Sequence, residues 1–286
     1  MSPNSARPSF AVVTDSTSDI TPEIAAENGI TIVPLHVTIG SETFEDGAIS
    51  QAEFFERMRS APQLPTTAAP SIGELAETYE AALESADEVI AVHLSSKLSA
   101  TFETAVIAAR QFGERVHVFD SRSLSWATGW QVLQTARDAR EGVGVAEALG
   151  RLERAREETR IAVSIDSLEN LRKGGRIGKV ATALGSLLNL KVTIAVDDGG
   201  EFVAIGRHRG ERAALQHVLD WTAAHMGGAT KGRFAIGHAM SPQAAERLRS
   251  AIVERWEPVE LVTYEAGASI SAHAGTIWGV AVQPAE

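Results

Sequence analysis

Hydroxyl and acidic side chains gather at three places where an apolar run gives way to polar chain. They are Thr14-Asp15-Ser16-Thr17, His93-Leu94-Ser95-Ser96-Lys97-Leu98-Ser99-Ala100-Thr101 and Asp120-Ser121. Each follows a run that reads as a buried strand, over 10–14, 88–92 and 116–119. In the second, a helical pattern opens at Thr101 and runs to Phe112. A helix start offers unpaired N–H groups and the positive end of a dipole, both favourable to an anion. Ser99, placed to cap that helix, is the sharpest single candidate. Ser, Thr and Asp also serve as ordinary caps and turn formers, and any one segment alone reads that way. Three such ends on one edge of a parallel sheet would make a shared site for a carboxylate or a phosphate.

Other segments carry weaker signals. In Pro65-Thr66-Thr67-Ala68-Ala69-Pro70-Ser71, Ser71 and Glu74 have capping-box spacing, which leaves Thr66 and Thr67 without a local duty. Leu171-Arg172-Lys173-Gly174-Gly175-Arg176-Ile177-Gly178-Lys179 is a basic glycine loop. It fails as a nucleotide-binding P-loop, because its first glycine is misplaced and Val180 stands where Mg²⁺ needs Ser or Thr. It reads equally as a phosphate- or partner-facing loop and as an exposed, solubilising one. Arg207-His208-Arg209-Gly210-Glu211-Arg212 sets positive charge at a helix start, against the dipole. His273 lies in Gly267-Ala268-Ser269-Ile270-Ser271-Ala272-His273-Ala274-Gly275, where small neighbours let a ligand approach. A lone histidine is more often structural. Asp15 at a strand end admits a rival reading, a small-molecule phosphotransferase or phosphatase with an aspartate nucleophile. The second acid expected two positions on is Thr17 instead.

The elements that must position these groups follow from composition and pattern. The chain has 286 residues, 44% hydrophobic and 22% charged, with a formal net charge of -11 and no cysteine. That is a globular composition without disulfides, thiolate metal sites or a cysteine nucleophile. The acidic balance disfavours nucleic acid as a partner. No apolar run reaches the ~20 residues of a membrane span, and no signal-peptide pattern opens the chain. A cytoplasmic setting is expected. Residues 1–8 read as a disordered tail. Strands alternate with helices over 9–160, which predicts an α/β domain on a parallel sheet. Over 161–286 a hairpin around Asp197-Asp198-Gly199-Gly200 mixes with helices, including one over 180–189, and predicts an α+β domain.

Taken in order, these segments resemble the DegV family of fatty-acid-binding proteins. The match runs from Val13-Thr14-Asp15-Ser16-Thr17 through Thr66-Thr67, Leu94–Thr101, Val118-Phe119-Asp120-Ser121 and Leu171–Ile177 to Arg209-Gly210-Glu211-Arg212 and Ala272-His273-Ala274-Gly275. Ala68-Ala69 stand where the family pattern has Ser-Gln, Ala100 where it has Gly, Ala274 where it has Thr and Thr276 where it has Pro. The resemblance implies two domains with a long-chain fatty acid, such as palmitate, in a tunnel between them. It implies that Thr67, Ser99 and His273 hold the carboxylate, and that Ser96, Arg172, Arg176 and Arg209 lie near the head group or a partner surface. It implies a carrier without a catalytic residue, metal or cofactor, presenting its ligand to a fatty acid kinase subunit.

Overall fold

The computed structural model describes residues 8–183 and 190–285. The expected helix over 180–189 falls partly outside them; the described portion is a 3-10 turn, Gly178–Ala183. The first strand, β1 (Phe10–Asp15), is buried along almost its whole length. Helix α1 (Pro22–Asn28) begins where the Thr21 side chain accepts the Ile24 N–H and ends at Gly29, whose φ of 65° only glycine adopts readily. Pro22 sits at the first helical position, where a missing N–H costs nothing. Strand β2 (Ile30–Val33) returns beside β1.

The extended chain over 30–39 divides at Pro34. Beyond it, β3 (His36–Ile39) and β4 (Glu42–Glu45) leave the first sheet. After α2 (Gln51–Ser60), strand β5 (Thr66–Ala68) joins β3 from the other side. These form a small antiparallel sheet in the order β4-β3-β5 that the sequence did not announce. Helix α3 (Ile72–Ser85) carries the expected Ser71–Glu74 capping box. Then come β6 (Glu88–His93), α4 (Thr101–Ala109), β7 (Val116–Asp120), α5 (Ser125–Arg140) and α6 (Val145–Glu158). Strands β2-β1-β6-β7 form an all-parallel sheet, so their carboxyl ends share one edge.

The chain then enters a second sheet. Its elements are β8 (Arg160–Ile165), α7 (Glu169–Lys173), β9 (Lys191–Val196), β10 (Phe202–His208) and α8 (Glu211–Met226). They continue as β11 (Lys231–Ala239), α9 (Pro242–Arg255), β12 (Glu257–Glu265), α10 (Ala268–Ala274) and β13 (Ile277–Ala285). The order is β10-β9-β8-β13-β11-β12, antiparallel except for the β11–β12 pair. The fold is α/β with a parallel sheet and a further mixed sheet. The two-residue period of a strand divides the second sheet's side chains between two layers. Phe234, Ile236, Trp278 and Val280 pack against α8 and α9. Ala235, Ala281 and Ile161 face the other way, onto Trp126 and Trp130 of α5. The small sheet and α2 join this second region too, since Val37, Phe54 and Phe55 share a core with Ile165, Val192 and Ile270. Among the described residues, no helix is long and apolar enough to cross a membrane.

Candidate functional site

Thr67 lies in the middle of β5, paired with Val37 of β3. Its hydroxyl meets the Nε2 of His273, from α10, at 2.8 Å. The two are 206 positions apart in sequence. The seat of the histidine ring is cut by Gly174. A Cβ built there would lie 2.5 Å from His273 Nδ1, so the glycine of the basic loop makes room for the imidazole. Arg176 of the same loop turns back across the site. Its Nε donates to the Leu98 carbonyl (3.2 Å) and its Nη1 to that of Gly174 (2.7 Å). Burial, with the Arg176 guanidinium nearby, pushes the His273 imidazole down to about 4, so it is neutral at ordinary pH.

Ser99 sits in the turn between β6 and α4. The helix cap itself falls one residue later, on Ala100, which has no side chain to offer. Ser99 Oγ still accepts the Thr101 N–H (3.3 Å) and lies 2.9 Å from the Thr101 hydroxyl. Thr67, Ser99, Arg176 and His273 line one cavity, together with Thr17 and Ser269. It lies where the edge of the parallel sheet meets α10 and the basic loop.

This polar mouth opens into an apolar chamber, with which it shares Leu124, Leu171, Phe202, Ile270 and Ala274. The chamber floor is the inner face of the second sheet. One cross-strand row runs Tyr264–Gly237–Gly279–Val163–Ile194, each residue directly paired with the next, and all five line the chamber. Of the two glycines side by side, Gly237 leaves room for the Tyr264 ring and Gly279 for the close approach of the β8 backbone.

Other expected residues are elsewhere. Arg172 and Arg209 are exposed and outside this cavity. Ser96 is half-buried, its N–H donating to Asp120 Oδ1 at 3.3 Å, and it too lies outside. Ser95 donates to the Gly200 carbonyl (2.7 Å), tying the turn to the β9–β10 hairpin. Ser121 bonds within its own loop and to Thr128. Asp15 does not meet the needs of a nucleophile. It is fully buried, with Oδ1 accepting from Thr17 and Oδ2 from the Leu94 N–H and His93 Nδ1, both at 3.0 Å. Thr17 was within reach of sequence reasoning as part of the first hydroxyl cluster, whereas Leu124, Phe202 and Tyr264 carried no signal separating lining from core. Among the described residues, no three His, Cys, Asp or Glu side chains gather as a metal site would need.

Comparison with known proteins now decides the family. A model of the DegV family, described as uncharacterised, matches residues 9–285. The chain belongs to the DegV family. A DegV domain-containing protein of Deinococcus radiodurans is 38% identical over 282 residues, covering 96% of this chain and 99% of that one. A DegV family protein from Thermus thermophilus, its structure described as showing fatty acid binding, superposes with a TM-score of 0.93 at 34% identity, over 96% of this chain and 99% of that one. The Bacillus subtilis DegV, described as a fatty acid binding protein, gives 0.87 at 28% identity, over 97% and 100%.

Proposed function

We propose that the protein binds a long-chain fatty acid, such as palmitate, and carries it for lipid metabolism, presenting the carboxylate to a separate fatty acid kinase. The observation that carries this reading is a mouth of hydroxyl, imidazole and guanidinium groups opening directly into an apolar chamber. Thr67, Ser99 and His273 are the carboxylate ligands in this reading, with Arg176 supplying positive charge. A carboxylate taken out of water is costly unless several donors replace its hydration. The tail contributes on the order of 0.8 kcal/mol per buried CH₂, so most of the affinity comes from the chamber. The chemistry belongs to the partner: nothing in the mouth activates a phosphate, and the chain's own part is to hold and orient the acid. The domains over 9–160 and 161–286 act as the two walls of the site. Fatty acid binding by the two solved relatives supports the ligand class.

Native mass spectrometry of gently purified protein tests the reading. The expected result is a retained mass in the range of a long-chain fatty acid, exchangeable for added palmitate. Lipid-free protein that also takes up no palmitate would overturn it.

A further inference from the structure

On its β11–β12 side the chamber is closed by a bar built from three distant segments. Tyr264 leaves β12 and lies across β11, with its phenolic end occupying the space a Cβ of Gly237 would need. Its hydroxyl reaches Ser125 Oγ at 2.6 Å, and Ser125 in turn donates to Asp19 Oδ2 at 2.5 Å. With the Ser125 proton directed at Asp19, the tyrosine donates to Ser125. The polar tip is thereby consumed, and the ring presents carbon to the chamber. Asp19 is itself fixed by the Gly267 N–H (2.9 Å), and its backbone carbonyl accepts the Trp126 indole N–H (3.0 Å). Both Asp19 and Ser125 hold φ of 53°, a left-handed conformation uncommon for residues with side chains. Strain of that kind persists where the surroundings over-determine it, and often where function uses it.

The register shows what lies beyond the bar. Two residues along each strand from the Tyr264–Gly237–Gly279–Val163 row come Val262, Ala235, Ala281 and Ile161, again directly paired. Val262, Ala235 and Ala281 of this next row pack against Trp126 and Trp130, closing the β12–β11–β13 side, while Ile161 on β8 still lines the chamber. We infer that Tyr264, latched by Ser125 and Asp19 over Gly237, is the stop that sets the length of the bound acyl chain. The inference rests on the fatty-acid reading above. It makes Tyr264 a specificity residue that leaves carboxylate recognition untouched.

The test offers an equimolar series of saturated fatty acids of increasing length to wild type, Tyr264→Ala, Tyr264→Phe and Gly237→Ala, and reads bound lengths by native mass spectrometry. Removing the ring should raise the preference for a chain two carbons longer about tenfold, the yield of two further buried methylenes. Tyr264→Phe keeps the wall and should keep the wild-type length at the maximum. Gly237→Ala lifts the ring into the chamber and should shift the maximum to shorter chains. An unchanged length profile in folded Tyr264→Ala would overturn the stop, as would an unchanged profile in Gly237→Ala should the first variant not fold. If wild type binds no acid of any length, the fatty-acid reading fails and the stop falls with it.

Discussion

The two ends of the cavity are built by different means. At the mouth, each polar group comes from a separate element: Thr67 from a three-residue strand, Ser99 from a turn, His273 from a short helix and Arg176 from a loop. At the floor, one continuous sheet supplies a register-locked row of apolar residues. Loops and short elements can re-aim a donor by small shifts, while a sheet row moves only as a body. On the proposed function, recognition of charge is therefore local and adjustable, and recognition of length is global and fixed. A mouth substitution should change affinity equally for all chain lengths, and a floor substitution should change the ranking of lengths.

The largest expected effect concerns pH, where the two ends carry opposite signs. His273 is held near 4 in the fold against an ordinary value of 6.5. Its neutral form contributes stability that is present above pH 6.5 and lost as pH falls through 4, on the order of 3 kcal/mol. Asp19 is pushed up to about 7, chiefly by burial, so its contribution is present below pH 4 and lost as pH rises through 7. In urea unfolding between pH 7 and 4, wild type should lose stability relative to His273→Gln as pH falls, since the opposing Asp19 contribution is common to both. Parallel curves would break the assignment. Next in size is His273→Ala, expected to weaken fatty-acid binding by about 1–3 kcal/mol, roughly ten- to a hundredfold, as the loss of one buried hydrogen-bond partner. Titration with acids of two lengths should give the same ratio for both. Ser99→Ala should be smaller, about 0.5–1.5 kcal/mol, because its hydroxyl is shared with the Thr101 N–H. A length-dependent effect in either mouth variant would erase the distinction between the two ends.

The same contrast governs what could be read without coordinates. The parallel sheet was legible because β1, β6 and β7 are short apolar runs ending in hydroxyl or acidic residues. Caps such as Thr21-Pro22 and Ser71–Glu74 were legible because they are local. Thr67 stood out for lack of a local duty, although its strand, β5, did not: three residues carry too little periodicity to announce pairing. Gly174 was visible only as part of a basic loop, since its reason lies in a ring about a hundred residues away. The chamber was illegible, because Val163 lining the chamber and Val280 packed in a core are the same kind of residue. Only the register, a long-range property, tells a lining row from a packed one.

The 2.8 Å contact between Thr67 and His273 has a kinetic consequence. In the proposed reading, an arriving carboxylate exchanges with a bond already made, and on departure the two side chains close on each other again. Each side chain thus keeps a partner in the empty site, and neither is left bare when the acid departs. The depth of binding is then governed by the tail and the ease of hand-over by this reciprocal pair, a division of labour suited to delivery more than to storage.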